Sequence, residues 1–224
     1  MGVREEVVPF VAAAVVFGIL VAFVCKVCGV SVQRAVWSGI VPAVILIGYF
    51  LYFFRDPERV PPADESLIVA AADGVVARIK EVREDKYLKT DTIRISIFLS
   101  LFSVHVNRAP ISGKSTFKGY FPGKRFFTFE EKSSDFNQHN EILLEGRTKC
   151  LVNQIVGPVC RRVVYFLDHD NPVELKKGDR IGMMKFGSRL DMYFPKSDVE
   201  ITVKLGDKVA AGLTEIGRIK GGCK

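Results

Sequence analysis

The sequence predicts a mainly β domain that is preceded by an N-terminal α-helical membrane hairpin. Three observations predict this: two long uncharged stretches near the N-terminus, short β-type runs between turns over the remaining chain, and a repeated Gly-Asp turn motif. A chain of 224 residues is long enough for one well-buried domain in addition to the hairpin.

The uncharged stretches are residues 7–25 and 35–54. As helices each would be about 30 Å long, which matches the hydrocarbon core of a bilayer. The short connector between them holds Lys26 and Arg34. Residues 1–54 are therefore expected to anchor the protein in a membrane. A buried hairpin of a soluble protein and a hairpin lying in one leaflet are the alternatives.

The basic residues around the hairpin favour one orientation. The connector holds two of them, whereas Arg4, Arg55 and Arg59 flank the hairpin. Because positive residues are retained on the cytoplasmic side, the flanks and the large domain are expected there, at the cell (inner) membrane.

Residues 55–66 are polar and proline-rich, which is typical of a linker. Residues 67–224 are then the β domain, because their β-branched and aromatic residues partly alternate. One segment, 157–167, is compatible with a short helix. The strand-like runs are residues 68–82, 92–107, 115–121 and 140–157.

A Gly-Asp motif occurs twice, in residues 176–184 (KKGDRIGMM) and 204–212 (KLGDKVAAG). Glycine tolerates a positive φ and aspartate hydrogen-bonds nearby backbone, so both units predict tight turns between strands. Together with the ADGVV segment they resemble the turns of lipoyl-like, barrel-sandwich domains. Ordinary β turns are the alternative explanation.

The composition argues against several classes of function. Most of the formal net charge of +7 lies after residue 54, where it can hold a domain against anionic headgroups. No dense Lys/Arg tract indicates nucleic-acid binding, so no nucleic acid is expected as a partner. The five cysteines are scattered and lack the spacing of a metal site, so no metal is expected.

Three histidines are available for chemistry. His105 lies in a strand-like run, where alternation would place Ser103 and Asn107 on the same polar face. His139 and His169 lie in a polar connector and a polar turn. His105 is therefore the histidine best suited to a reactive site, with a structural role as the alternative.

Two further elements have both an ordinary and a chemical interpretation. Asp73 precedes a glycine and suits a turn, but an aspartate can also orient and stabilise an imidazole. The pair Gly187-Ser188 suits a turn as well. An unshielded glycine carbonyl beside a serine hydroxyl is, however, the bond type that a self-cleaving chain needs.

Six motifs follow one another along the chain from about residue 50 to the C-terminus: FFRDPERVPP, ADGVVARI, ISIFLSLFSVHVNRAPISG, QIVGPVCRRVVYFL, GDRIGMMKFGSRLDMYFP and VKLGDKVAAGLTEIG. In this order they resemble the short prokaryotic type of phosphatidylserine decarboxylase. The preceding apolar hairpin is also typical of that family.

The resemblance implies a proenzyme that cuts itself before Ser188 and converts this serine into a covalent pyruvoyl group. His105 and Asp73 correspond to the residues that assist the cleavage. The products would be a large β chain, residues 1–187, and a small α chain, residues 188–224, which remain together as a heterodimer.

The implied reaction is that of a carboxy-lyase. The amine of phosphatidylserine in the membrane forms a Schiff base with the pyruvoyl group, and loss of CO₂ gives phosphatidylethanolamine. His105 is the candidate for returning the proton. Arg108 and Arg189 lie nearest the motifs and are candidates for binding the lipid phosphate, with a surface role as the alternative for both.

One departure from the family concerns residues 137–140 (NQHN), where relatives more often have Asn-Glu-Arg-Asn, so that His139 replaces an arginine. Two other functions remain open. One is the same decarboxylation on archaetidylserine, an ether-linked lipid. The other is a non-catalytic, membrane-anchored barrel-sandwich adaptor, which would explain the hairpin and the turns but not the joint occurrence of the motifs.

Overall fold

The computed structural model describes residues 2–124, 126–128, 133–157, 163–185 and 188–221. The chain forms two compact units, Met1–Glu58 and Arg59–Lys224. The first contains two long helices and the second contains nearly all of the strands.

The N-terminal unit is an antiparallel helical hairpin. Helix α1 spans Val8–Val27 after a short 3-10 turn, and helix α2 spans Val32–Phe53. Strand β1, Gly2–Val3, pairs antiparallel with strand β2, Arg55–Asp56. This pairing joins the two ends of the hairpin.

Small residues form the contact between α1 and α2. The buried residues of the two helices are Ala14 and Gly18 in α1, Ala35 and Gly39 in α2, and Phe53 near the end of α2. A β-carbon on Gly18 would lie 2.8 Å from the β-carbon of Ala43, and one on Gly39 would collide with the carbonyl of Gly18. Close approach through small residues is the usual packing of helices in lipid.

The outer faces of the hairpin are apolar and exposed. Both helices are long and apolar enough to cross a membrane, and only 17% and 11% of their most apolar windows are buried. A core helix of a soluble protein would be mostly covered, so the exposed apolar surface favours contact with lipid.

Among its described residues, the second unit has antiparallel strands and one short helix, α3 (Ser133–Phe136). In chain order the strands are β3 Leu67–Val69, β4 Gly74–Glu84, β5 Thr90–Leu99, β6 Val106–Arg108, β7 Gly113–Phe121, β8 His139–Gly146, β9 Lys149–Val156, β10 Val163–Tyr165, β11 Val173–Leu175, β12 Arg180–Met184, β13 Ser188–Pro195, β14 Val199–Ile201, β15 Lys208–Val209 and β16 Glu215–Ile219.

The strands form three sheets. The main sheet has eight strands in the order β11-β7-β8-β9-β13-β5-β4-β15. Two three-stranded sheets have the orders β10-β12-β6 and β14-β16-β3. Strand β13 is therefore central in the main sheet, with β9 on one side and β5 on the other.

The main sheet has one apolar and one polar face around β13. Leu190, Met192 and Phe194 belong to the hydrophobic core together with alternate residues of β5 and β9. Arg189 and Asp191 point to the opposite face, because side chains alternate along a strand. Side chains on both faces of this strand are buried, and all eight of its residues belong to the interior.

The predicted mainly β class and the apolar helical pair are confirmed, although the sheets are not closed into a barrel. The proposed helix over 157–167 is wrong for its second half, where residues 163–165 pair with β12 as a strand. A short apolar run has no periodicity that separates helix from strand, and here pairing decided it. Residues 158–162 lie outside the described residues.

The two Gly-Asp motifs adopt the same turn. Gly178 and Gly206 have φ values of +86° and +89°. Asp179 accepts a hydrogen bond from the backbone N–H of Lys176 at 2.7 Å, and Asp207 accepts the equivalent bond from Lys204 at 2.8 Å. The predicted tight turns are thus both present, and each leads into a strand.

Substituting Gly39 by leucine should separate the two helices, because its side chain has no space beside Gly18. Spin labels can be attached to cysteines introduced at Val16 and Val44 in a background without the native cysteines. Pulsed electron paramagnetic resonance should then give a longer and broader distribution of distances between the labels. The matched control is Gly48→Leu, where an added β-carbon meets nothing within 4 Å. Equal distributions in the two variants would contradict the packing described above.

Candidate active site

Ser188 is the first described residue of β13, and its backbone is held on both sides. It is paired with Leu99 of β5 and with Val156 of β9. The residue is fully buried, and its Oγ has no hydrogen-bond partner among the residues described. A buried hydroxyl without a partner costs about 1–3 kcal/mol, so it is an unusual feature of a stable core. Gly187 lies outside the described residues.

His105 is fully buried beside the segment that leads to Ser188. Its carbonyl accepts a hydrogen bond from the N–H of Met184, the last residue of β12. Its ring Nδ1 lies 2.9 Å from the carbonyl oxygen of Ser103. Because a carbonyl can only accept, Nδ1 carries the proton in the neutral ring, and Nε2 carries the lone pair of a base.

Asp73 lies in the turn before β4, where Arg59 binds it. The two terminal nitrogens of the Arg59 guanidinium donate to its carboxylate at 2.5 and 2.8 Å. The N–H of Ala211 donates to the same carboxylate at 2.7 Å. Asp73 thus binds Arg59 and Ala211, whereas Nδ1 of His105 contacts the carbonyl of Ser103. A direct action of Asp73 on His105 therefore stays a prediction.

Arg59 is a residue that sequence reasoning did not assign to the site. Its polar surroundings predicted a linker, yet its side chain is largely buried against Asp73 and also donates to the carbonyl of Ala211 at 2.6 Å. A bidentate arginine–carboxylate pair is geometrically specific, so Arg59 fixes the Asp73 turn to the segment around Ala211.

The two arginines predicted to bind phosphate are both buried. Arg108 donates to the carbonyl of Gly178 at 2.9 Å, and its side chain packs beside Gly212. Arg189 donates to Asp191 at 2.9 Å, to the carbonyl of Thr128 at 2.9 Å and to the hydroxyl of Ser134. The alternative of a surface role is wrong for both, and phosphate binding by either stays a prediction.

Arg189 and Asp191 form a buried ion pair on the polar face of the main sheet, with side chains 1% and 0% exposed. Ser134 also donates to Asp191 at 2.8 Å. Burial raises the pKa of nearby Tyr193 well above its usual value, and the negative charge of Asp191 adds to the rise. Because Ser134 belongs to α3 and bonds both members of the pair, the pair attaches α3 to β13.

A cleft of about 540 Å³ opens on this same polar face. Its lining includes Lys86, Arg94, His139 and Glu141. Burial would raise the pKa of Glu141, but hydrogen bonds from His139, Lys86 and Tyr87 outweigh it and lower the pKa to about 2. The cleft lies on the side of the sheet opposite to the Ser188 side chain, because side chains alternate along β13.

A row of three buried amides lies on the Ser188 side, and the sequence placed only one of them, Asn107, beside a candidate site residue. Asn107 Oδ1 accepts from Gln154 Nε2 at 2.7 Å, and Gln154 Oε1 accepts from Asn140 Nδ2 at 3.3 Å. The available signal was Gln154 itself, which occupies an inward position between Val152 and Val156.

A family model described as phosphatidylserine decarboxylase matches residues 46–217. The chain belongs to the phosphatidylserine decarboxylase family. Its relatives include the phosphatidylserine decarboxylase proenzymes of Carboxydothermus hydrogenoformans, 43% identical over 83% of this chain and 86% of the relative, and of Salinibacter ruber, 45% identical over 84% of each chain. The proenzyme of Geotalea uraniireducens is 36% identical over 96% of this chain and 95% of the relative.

In this member of the phosphatidylserine decarboxylase family, the buried ion pair of Arg189 and Asp191 leads to a prediction about stability. Asp191→Ala leaves the buried charge of Arg189 without its partner and should cost about 3–5 kcal/mol of unfolding free energy. The double variant Arg189→Met/Asp191→Leu removes both charges and should recover most of that loss. Urea unfolding followed by circular dichroism at one protein concentration measures both. A double variant as unstable as Asp191→Ala would show that the charges are not what holds α3.

Proposed function

We propose that the chain is a self-cleaving phosphatidylserine decarboxylase, which cuts its own Gly187–Ser188 bond and then converts phosphatidylserine into phosphatidylethanolamine and CO₂. The observation that carries the proposal is the buried Ser188 hydroxyl without a described partner, in a chain of this family. Membership of the family supports the reaction, and the hydroxyl supports the place where the chain acts on itself.

In the proposed cleavage, the Ser188 Oγ attacks the carbonyl carbon of Gly187. The C–N bond between the two residues breaks, and an ester between Gly187 and the Ser188 side chain replaces the amide. Removal of the Ser188 α-proton then expels the Gly187 carboxylate by β-elimination. Water replaces the remaining nitrogen, ammonia leaves, and a ketone stands at the start of residues 188–224.

His105 supplies the base for these reaction steps. Its Nδ1–H is fixed by the Ser103 carbonyl, so Nε2 is the nitrogen able to accept a proton. A carbonyl partner sets the tautomer as a carboxylate would, but it adds no negative charge to stabilise the imidazolium. Asp73, ion-paired with Arg59, would then act on the position of the backbone before β4.

The residues present fit a pyruvoyl group at position 188, because the buried hydroxyl from which it would form is not committed to a structural bond within the described chain. The group would supply an electrophilic carbon for the substrate amine and a sink for the electrons that CO₂ leaves behind. His105 would hold the proton that returns to the substrate carbon. The described residues include no cluster suited to a metal.

The strand pairing explains why two chains would stay together after the cut. Strand β13 is paired with β5 and β9, β15 with β4, and β16 with β3. Every one of these partners belongs to residues 1–187. The small chain would therefore keep its hydrogen bonds and its core residues, and the two chains form the proposed heterodimer.

The hairpin brings the enzyme to its substrate. Its exposed apolar helices suit insertion in the cell membrane, and Arg4, Arg55 and Arg59 favour the cytoplasmic side for the ends of the hairpin and for the catalytic domain. Ester-linked and ether-linked lipids carry the same headgroup, and the proposed chemistry is confined to that headgroup.

The Ser188→Ala variant should remain one chain without decarboxylase activity, because no hydroxyl can attack Gly187. It should fold at least as stably as the uncut wild type, since it loses a buried hydroxyl without a described partner. Gel electrophoresis measures the cleavage, and a CO₂-release assay measures the decarboxylase activity. Ser96→Ala is the matched control, because Ser96 is equally buried with an Oγ that lacks a described partner. Decarboxylation by folded Ser188→Ala would refute the proposal.

The His105→Gln variant should cleave at least about a hundredfold more slowly than wild type, since glutamine can donate to the Ser103 carbonyl but cannot act as a base. The appearance of the small chain with time on gels measures this rate. The control is His139→Gln, because His139 Nδ1 likewise lies 2.7 Å from the carbonyl two residues before it, in Asn137. A wild-type rate in His105→Gln would return this histidine to a structural role.

A further inference from the structure

The three buried amides Asn107, Gln154 and Asn140 form an amide row that ends in a donor. The three residues are 0%, 0% and 3% exposed. Asn140 donates to Gln154, and Gln154 donates to Asn107, so the oxygen of Asn107 is an acceptor. The other end of that amide, Nδ2, has no hydrogen-bond partner in the part of the chain that the structure describes.

The amide row lies on the Ser188 side of the main sheet. Gln154 is paired with Leu190 of β13, and Val156, two residues further on β9, is paired with Ser188. Residues two apart on a strand share a face, so Gln154 and Ser188 are diagonal neighbours, about 7–8 Å apart at their α-carbons. Asn107 in turn follows His105 by two residues.

The row is built into the fold. Gly182 of β12 pairs with Asn107, and a β-carbon on Gly182 would lie 2.9 Å from Nε2 of Gln154. A side chain at position 182 would displace the glutamine amide from Asn107. A buried N–H that lacks a partner is costly, and here a glycine and two further amides hold it in place.

We propose that Nδ2 of Asn107 donates a hydrogen bond to the carboxylate of the serine headgroup and so distinguishes substrate from product. This inference rests on the proposed function. The chemistry favours a neutral donor: a cation beside the carboxylate would stabilise the ionised substrate more than a transition state from which that charge is leaving. The two nearby arginines also have partners within the protein. Arg108 donates to the carbonyl of Gly178, and Arg189 donates to Asp191.

The test compares ligands with and without the carboxylate. Cleaved wild type and Asn107→Leu, each treated with borohydride to reduce the ketone, are titrated with glycerophosphoserine and with glycerophosphoethanolamine by calorimetry. Loss of a hydrogen bond to a charged group should weaken binding of the serine form by about tenfold or more, and leave the ethanolamine form unchanged. The KM for phosphatidylserine of the untreated variant should rise by the same factor.

Asn153→Leu is the matched control. Asn153 is also buried with a polar atom, Oδ1, that lacks a described partner, but its side chain points to the opposite face of β9. It should leave the preference for the serine form unchanged. Equal weakening of both ligands in Asn107→Leu, or none, would overturn the proposal.

Two milder variants keep the test decisive if Asn107→Leu stays uncut. Asn107→Ser retains a shorter donor and Asn107→Asp retains the shape while repelling a carboxylate. If either cleaves, its binding of the serine form should weaken, more in Asn107→Asp than in Asn107→Ser. If all three stay uncut while Asn153→Leu cleaves, the amide serves cleavage and the headgroup proposal is wrong. Active Ser188→Ala would instead refute the proposed function itself.

Discussion

The pairing of β13 on both sides is the constraint on which the rest of the molecule depends. Strands β5 and β9 fix the backbone of Ser188 and leave its hydroxyl buried without a described partner. A central strand cannot shift by one residue without turning its core side chains to the other face. The Ser188 hydroxyl is therefore positioned by the same hydrogen bonds that stabilise the sheet, and those bonds would survive the proposed cut before residue 188.

The two faces of this strand carry different buried polar groups. On one face, the ion pair of Arg189 with Asp191 attaches the segment around Ser134 to the sheet. On the other, the amide row stands among apolar core residues near Ser188. The wide polar cleft belongs to the first face. It is thus on the side of the sheet opposite to the Ser188 side chain.

Much of this arrangement could be predicted from the sequence, because alternation, apolar length and Gly-Asp turns are local signals. The partners of the site residues could not. Arg59 lies in a polar, proline-rich stretch, and only the folded chain brings it to Asp73. The Nδ1 partner of His105 is a backbone carbonyl, which leaves no mark in the sequence. Strand β10 is a short apolar run that acquires its conformation from pairing with β12.

Intact-mass spectrometry of the purified wild-type protein tests the central claim most directly. The account predicts two masses, one for residues 1–187 and one for residues 188–224 that is lighter by one ammonia than a fragment beginning with serine. A single full-length mass in a preparation that decarboxylates phosphatidylserine would contradict it. A small chain with the mass of an ordinary N-terminal serine would show cleavage by hydrolysis and would contradict the proposed chemistry.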